Sequence, residues 1–157
     1  KHRAFDNEDQ RNYISSAFSA VGIPTERIVF KGYTSSRRDY LNVYNQIDIA
    51  LDPFPFGGGT VSYEALWMGV PVLTIAGSRI MGRLSGSLMS QLDLRDWVIE
   101  TKEQYISTAE FMASDVAELS TLRHKLRIKA QNTIFNAKRF TLELEAALET
   151  AWKVYVN

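Results

Sequence analysis

The fold of this chain is decided by residues 47–75, which read IDIALDPFPFGGGTVSYEALWMGVPVLTI. The segment 47–51, apolar except for Asp48, is typical of a short strand, and the turn-forming residues after it end in three glycines. A helix is predicted from Thr60 to Met68, closed by Gly69, and 72–75 is a further strand. Strand, loop, helix and strand in this order are typical of a βα unit in a parallel sheet.

Similar signals lie on both sides of this stretch. Two capping boxes, Asn7 with Gln10 and Ser36 with Asp39, predict helix starts. The predicted helices outside the central stretch span 8–21, 36–46, 80–91, 102–113, 115–134 and 139–155, and the short apolar segments are 28–30, predicted as a strand, and 97–99. We therefore predict an α/β fold, a Rossmann-like three-layer domain with a parallel sheet and a helical C-terminal tail. Such sheets bind ligands at the carboxyl ends of their strands.

The glycine-rich turn is the segment that predicts chemistry. Gly57–Gly59 allow close backbone approach, and the N–H groups at the following helix start form an anion site. The turn is neither a Walker loop nor a GxGxxG fingerprint. Thr60 adds a hydroxyl donor, and Glu64 lies one helical turn later, where a carboxylate can accept hydrogen bonds from two ribose hydroxyls. The spacing fits a nucleoside diphosphate, and a flexible turn followed by a solvated Glu64 fits it equally well.

The composition excludes several classes of partner. The 18 basic and 18 acidic residues give zero net charge, so no overall field favours nucleic acid or anionic membranes. Cysteine is absent, which excludes disulfide frameworks, thiolate nucleophiles and Cys-based zinc sites. No apolar run approaches the roughly 18 residues of a membrane span, and no signal peptide is visible. We expect one domain over residues 1–157, in the cytoplasm.

The residues after the glycines resemble a known family. The segment EALWMGVPV (64–72) resembles part of the C-terminal domain of two-lobed (GT-B fold) glycosyltransferases. Further resembling features are the strand 46–52, the turn 58–60, GRL (82–84) and IFNAKRFTLELE (134–145), in order along nearly the whole chain. The last of these narrows the resemblance to the O-linked N-acetylglucosamine transferase family, with its bacterial and SPINDLY-like members. The chain therefore resembles the donor-binding lobe, the C-terminal part of the catalytic region.

The resemblance implies a donor site made of two groups of residues. Gly59, Thr60 and Val61 match the residues that contact the diphosphate, with Gly58 beside them, and Glu64 matches the acidic residue that binds ribose. In the other group, Ser35 matches the position that reads the base, Arg37 replaces a nucleotide-binding Lys, and Tyr40 replaces a His that stacks on uracil. Gly-Thr-Val at 59–61 departs from the family's His-Thr-Thr, and Glu64 from its Asp, which leaves the base and the sugar open.

The resemblance also implies a reaction and its partners. Family members use UDP-N-acetylglucosamine, UDP-glucose or GDP-fucose, and the first of these is the expected donor here. Transfer to a Ser or Thr of an acceptor protein inverts the sugar and requires no metal or other cofactor. Because the sequence begins without Met, we expect it to be part of a longer protein, in which the resemblance implies an N-terminal catalytic lobe as a partner. Helical repeats precede that lobe in the relatives, and the sequence leaves open whether they do so here. A phosphate-binding Lys would lie upstream of Lys1, no general base is identified here, and we expect the chain alone to bind nucleotide weakly without transferring sugar.

Two other functions remain as alternatives. One is a different GT-B enzyme, such as a retaining glycosyltransferase, although 55–60 lack the second acidic residue that such enzymes place near the sugar. The other is a non-catalytic scaffold or interaction module with this fold, which the loss of the family's His at position 59 keeps open. Failure to bind any nucleotide would favour the scaffold, because fold alone does not determine function.

Further residues have both a functional and a structural interpretation. Phe56 is either a wall of the sugar pocket or a hydrophobic plug under the loop. Arg83 either faces the diphosphate or the acceptor, or lies on the helix surface and forms a local ion pair. His2 and His124 are interpreted as non-catalytic, since no carboxylate or nucleophile is evident near them in the sequence. The predicted role of the tryptophans is packing in the core or at a lobe interface, and they are Trp67, Trp97 and Trp152.

Overall fold

The structure is a computed structural model that describes residues 2–156. The chain divides into two compact units, one ending at Val43 and the other beginning at Tyr44. The sequence predicts that residues 1–157 form a single domain that binds a nucleotide-sugar. Whether the two units act together in this way stays a prediction.

The first unit contains two α-helices, α1 (Glu8–Ser19) and α2 (Arg37–Asn42), and two 3₁₀ turns, Arg3–Asp6 and Thr25–Arg27. Both predicted helix starts are confirmed. Asn7 caps α1 by accepting hydrogen bonds from the N–H groups of Asp9 and Gln10 at 2.7 and 3.4 Å. The Ser36 hydroxyl caps α2 by accepting from the Asp39 N–H at 3.0 Å. The helix predicted over 36–46 is shorter, since a 3₁₀ turn over Val43–Gln46 follows α2.

The strand predicted over 28–30 is wrong. These residues have no regular secondary structure, and no strand forms within 2–43. The segment starts directly from the preceding 3₁₀ turn, since the Ile28 N–H donates to the Thr25 carbonyl at 3.0 Å. The Phe30 ring packs on Phe5, with centroids 5.2 Å apart. Phe30 therefore serves side-chain packing, whereas Val29 is exposed, and residues 2–43 offer no second strand with which the segment could pair.

The second unit contains a parallel sheet, as predicted. Its strands are β1 (Ala50–Leu51), β2 (Val72–Ile75) and β3 (Val98–Ile99), in the order β1, β2, β3. Ala50 lies opposite Val72, and Thr74 lies opposite Val98. The strand predicted over 47–51 is shorter in the structure, because only its last two residues join the ladder. The segment 97–99 contributes β3.

The second unit has five α-helices between residues 44 and 156. One follows the glycine turn, one follows β2 and three follow β3. In chain order the five are α3 (Thr60–Trp67), α4 (Leu84–Gln91), α5 (Lys102–Ala113), α6 (Val116–Asn132) and α7 (Ala137–Val156). Gly69, with φ of +78°, ends α3 in the left-handed conformation that glycine tolerates best. The helix predicted over 80–91 begins as a 3₁₀ turn, Ile80–Gly82. The α/β fold with a helical C-terminal segment is therefore confirmed.

The core of this unit is built around β2. Helices α4 and α5 pack on β2, and α3 packs on α6. The largest fully buried side chains include Leu66, Val70, Val72, Leu73, Met89, Leu92 and Leu126. Burying an aliphatic or Met side chain contributes about 1.5–3 kcal/mol. This core fixes the carboxyl ends of β1 and β2, from which the loops of the candidate site depart.

The three tryptophans differ in exposure. Trp97 is buried in the core, and Trp67 packs edge-on against Phe135 with ring centroids 5.0 Å apart. Trp152, on α7, is 63% exposed. Core packing is thus confirmed for Trp97, and Trp152 lies outside the core, so that only the lobe-interface prediction remains for it. None of the helices in residues 2–156 combines the length and hydropathy that a membrane crossing requires.

Candidate functional site

The glycine turn, Gly57–Gly59, is bound by a buried aspartate that directly follows β1. Asp52 is 6% exposed. Its Oδ1 accepts a hydrogen bond from the Gly58 N–H at 2.7 Å, and its Oδ2 accepts one from the Thr74 hydroxyl on β2 at 2.8 Å. A buried carboxylate needs such donors to offset its loss of water. Asp52 therefore joins the turn to the ends of two neighbouring strands.

Two buried serines hold the other side of the turn. The Ser85 hydroxyl, at the start of α4, donates to the Gly58 carbonyl at 3.0 Å. The Ser62 and Ser85 hydroxyls lie 2.8 Å apart. Both residues are at most 3% exposed. Both backbone polar groups of Gly58 are thus engaged by side chains, and the turn is shaped by its surroundings rather than flexible.

The three glycines of the turn differ in the space around them. A Cβ at Gly58 would clash with the Ser62 hydroxyl and lie 3.0 Å from Asp52 Oδ1. One at Gly57 would lie 2.8 Å from Asp52 Oδ2. At Gly59 the nearest atom, Leu84 Cδ1, would be 3.9 Å away, an ordinary contact. Close packing requires glycine at 57 and 58 but not at 59.

The start of α3 presents backbone donors beside this turn. Gly59 is the N-cap residue, and its carbonyl accepts from the N–H groups of Ser62 and Tyr63 at 3.0 and 3.3 Å. The first N–H groups of a helix have no intrahelical acceptor. Those of Thr60 and Val61 therefore remain for an anion, and both residues are exposed. The predicted diphosphate-binding residues 58–61 thus lie together at one helix start.

Glu64 lies one turn further along α3 and is 6% exposed. The Tyr44 hydroxyl lies 3.4 Å from Glu64 Oε2 and 3.4 Å from the Val61 carbonyl oxygen. The alternative of a solvated helix residue is therefore wrong. Glu64 is thus a buried carboxylate, one helical turn after the exposed N–H groups at the start of α3.

Phe56 and Arg83 line two adjoining cavities at the carboxyl end of β2. Phe56 borders one of about 810 Å³ formed by 54–56 and 75–82, and Arg83 borders one of about 560 Å³ along α4. The two share Ala76, Gly77 and Ile80 in their walls. Phe56 is 61% exposed, so the alternative of a hydrophobic plug is wrong. Both side chains face space that a ligand next to the turn could occupy.

The remaining predicted residues belong to the first unit. Ser35 lies in the bend before α2, and Arg37 and Tyr40 lie in its first turn and a half. The Arg37 guanidinium carbon lies 5.6 Å from the centroid of the Tyr40 ring, a cation–π contact. Within their own unit, these two side chains form a stacked pair.

The buried polar residues Asp52, Ser62, Thr74 and Ser85 were missed from the sequence. Their only sequence signal was polarity within or beside apolar segments, such as Thr74 inside the strand 72–75. Which donor meets which acceptor depends on the approach of segments 22 to 27 residues apart, as for Thr74 with Asp52 and Ser85 with Gly58. Spacing within one helix or turn does not contain that information.

Tyr105 ties α5 to the same strand end. Its hydroxyl donates to the Asp52 backbone carbonyl at 3.1 Å, and its ring packs edge-on against Phe54. Burial, assisted by the negative charge of Asp52, raises the pKa of Tyr105 from 10.0 to about 12. The folded state therefore holds this phenolic proton more tightly than the unfolded state does.

This pKa predicts a pH dependence of stability. The stabilisation by the Tyr105 proton is complete below pH 10.0 and is lost as the pH rises towards about 12. We expect the unfolding free energy of the chain to fall more steeply over this interval than that of Tyr105→Phe. Urea unfolding of both proteins measures it, and lysines cancel in the difference because both proteins have the same ones. Parallel curves would contradict the prediction.

Comparison with known proteins identifies the family. The model of glycosyl transferase family 41 matches residues 5–144. The chain belongs to glycosyltransferase family 41. This confirms the family that the resemblance of the central and late segments predicted. The alternative of a different GT-B family is thereby excluded.

Individual relatives agree with this assignment. The chain is 31% identical to a Petunia hybrida protein named probable UDP-N-acetylglucosamine–peptide N-acetylglucosaminyltransferase SPINDLY. The alignment covers 100% of the chain and 17% of that protein. The chain is 32% identical to the Hordeum vulgare protein of the same name, again over 100% of the chain and 17% of the relative. A mutant of the Thermobaculum terrenum O-GlcNAc transferase superposes with a TM-score of 0.84 at 36% identity, over 94% of this chain and 28% of that one. The chain thus spans about a sixth of the curated relatives.

Proposed function

We propose that this chain binds the nucleotide of a UDP-sugar, UDP-N-acetylglucosamine, as the donor half of the active site of an inverting protein O-glycosyltransferase. The observation that carries the proposal is the anchored glycine turn, which leads into an α-helix start with exposed N–H groups and a buried carboxylate one turn below. The names of the Petunia and Hordeum relatives give the donor and describe a peptide acceptor. A Ser or Thr of a protein is the acceptor that we propose here.

In this proposal the start of α3 binds the diphosphate. The N–H groups of Thr60 and Val61 donate to phosphate oxygens, the Thr60 hydroxyl adds a third donor, and Gly58 and Gly59 allow the phosphates to approach the backbone. The positive end of the helix dipole favours the negative charge that develops on the departing UDP. This electrostatic assistance is the catalytic contribution of the chain's own residues.

The other donor contacts are assigned by chemistry. Glu64 accepts hydrogen bonds from the ribose hydroxyls. Ser35 reads the base, Tyr40 stacks on it and Arg37 contacts the nucleotide. The sugar occupies the cavity bordered by Phe56, and Arg83 lies towards the acceptor side.

The rest of the active site belongs to other parts of the full protein. We propose that an N-terminal lobe supplies the general base, that helical repeats precede it, and that transfer needs no metal ion. Absence of cysteine from the 157 residues is compatible with a reducing compartment such as the cytoplasm.

Calorimetric titration of the purified chain with UDP and, separately, GDP tests the proposal, in buffer with a metal chelator. UDP should bind with micromolar to low-millimolar affinity, and GDP more weakly. Glu64→Ala should weaken UDP binding about tenfold to a hundredfold, because a hydrogen bond to a charged group contributes roughly 1.5–3 kcal/mol. Thr60→Ala should weaken it less, because the backbone donors remain.

Glu110→Ala, which removes an exposed carboxylate from α5, is the matched control and should leave UDP binding unchanged. Tighter binding of GDP than of UDP would reassign the base. If neither nucleotide binds, the proposal is contradicted and the scaffold alternative is favoured.

A further inference from the structure

We propose that Tyr44 and Arg123 are positioning residues that orient Glu64 and so give the site its preference for ribonucleotides. This inference rests on the proposed ribose contact of Glu64. It concerns two residues that have no direct role in the ligand contacts assigned above.

Arg123, on α6, fixes the backbone that carries Tyr44. Its Nη2 donates to the Tyr44 carbonyl at 2.8 Å, and its Nη1 donates to the Ile47 carbonyl at 2.7 Å. A guanidinium is a rigid planar fork, so two short bonds to carbonyls three residues apart fix both the position and the direction of this segment. The backbone of Arg123 also packs against the end of α3, since a Cβ at Gly69 would lie 2.7 Å from the Arg123 carbonyl oxygen. One residue thus locates both elements that carry Tyr44 and Glu64.

Tyr44 transmits this position to the carboxylate. Its side chain is 6% exposed, and its hydroxyl lies within 3.4 Å of both Glu64 Oε2 and the Val61 carbonyl oxygen. A phenol has a single proton to donate, and a charged carboxylate is the stronger acceptor of the two. The bond therefore goes to Glu64 and narrows the orientations that its carboxylate can adopt.

The consequence for a ligand is specificity at the ribose. A carboxylate can accept from vicinal hydroxyls only when its oxygens point at both of them, so orientation matters more for a ribose than for a 2′-deoxyribose. Val61, whose carbonyl is near the same phenol, lies in the first turn of α3, where the diphosphate is proposed to bind. Tyr44 therefore stands between the phosphate and ribose contacts without touching the nucleotide.

The test compares UDP with 2′-deoxy-UDP by calorimetry on the chain and on Tyr44→Phe. Removing the phenolic hydroxyl should weaken UDP binding about tenfold and leave 2′-deoxy-UDP binding within about twofold, so that the ratio of the two affinities collapses. A purely structural role would weaken both ligands equally and leave the ratio unchanged. Arg123→Lys, which keeps the charge but lacks the fork, should lower the ratio in the same direction.

Tyr63→Phe is the matched control, because it removes a hydroxyl from the residue beside Glu64 while keeping the ring that packs on Phe135 at 5.9 Å. It should preserve the ratio. If the chain binds UDP but Tyr44→Phe preserves the ratio, the positioning role is overturned while the proposed function stands. If Arg123→Lys alone preserves it, Arg123 has no such role. If the unaltered chain binds neither UDP nor 2′-deoxy-UDP, both proposals fall.

Discussion

Replacing Gly58 by alanine should weaken UDP binding on the order of a hundredfold. The new Cβ would clash with the Ser62 hydroxyl and lie 3.0 Å from Asp52 Oδ1. Both neighbours are buried and hydrogen-bonded, to Ser85 and to Thr74 respectively, so neither side chain can move aside without losing a partner. Overpacking of this kind costs about 1–3 kcal/mol and would be relieved by moving the turn away from the start of α3. The donors for the diphosphate would then be misplaced.

The same titration on Gly59→Ala provides the comparison. Its Cβ would meet Leu84 Cδ1 at 3.9 Å, so the turn should keep its shape, and any loss of UDP binding should come only from the methyl group beside the phosphates and stay well below the loss in Gly58→Ala. Equal losses in the two variants would show that backbone freedom, rather than the space around Gly58, controls the site. Circular dichroism of each variant verifies that the fold is retained.

Replacing Asp52 by alanine should lower the melting temperature on the order of 10 °C. The change leaves two buried donors, the Gly58 N–H and the Thr74 hydroxyl, without their acceptors. Each unsatisfied buried donor costs about 1–3 kcal/mol, and each kcal/mol lowers the melting temperature of a chain of this size by roughly 2–4 °C. Differential scanning calorimetry at neutral pH measures the shift.

Asp52→Asn separates hydrogen bonding from charge. The amide oxygen can accept from Gly58 N–H while the amide nitrogen donates to the Thr74 hydroxyl oxygen, so the shape of the network survives. We expect less than about a third of the loss seen with alanine. A loss as large in Asn as in Ala would mean that the negative charge, and not the hydrogen bonds, stabilises this strand end.

The parts of the fold that the sequence predicted correctly depend on local signals. The starts of α1 and α2 are signalled by a capping side chain that lies within three residues of the N–H group it binds. Strand β2 is signalled by the short, mostly apolar segment 72–75. The segment 28–30 has the same apolar character but no strand to pair with. Strand formation depends on a distant partner, which periodicity within one segment does not reveal.

The candidate site divides in the same way. The glycine turn and the helix start are contiguous in sequence, so their association was predictable. Glu64 accepts a hydrogen bond from Tyr44, 20 residues earlier, and Arg123 donates to the Tyr44 carbonyl from 79 residues away. Residue spacing along the chain was enough to predict which groups could contact a nucleotide. The hydrogen bonds that orient these groups join distant segments, so they can be identified only in the folded structure.

Position 59 is less closely packed than positions 57 and 58. Because a Cβ at 57 or 58 would crowd Asp52 whereas one at 59 would make only an ordinary contact with Leu84, alanine can be placed at 59 without a clash. Natural descendants of this chain, and laboratory libraries built from it, can therefore explore polar or cationic substituents beside the anion-binding helix start in single steps. If the proposed donor site is correct, donor preference can be altered at position 59 with little disturbance of the turn that Asp52 holds at 57 and 58.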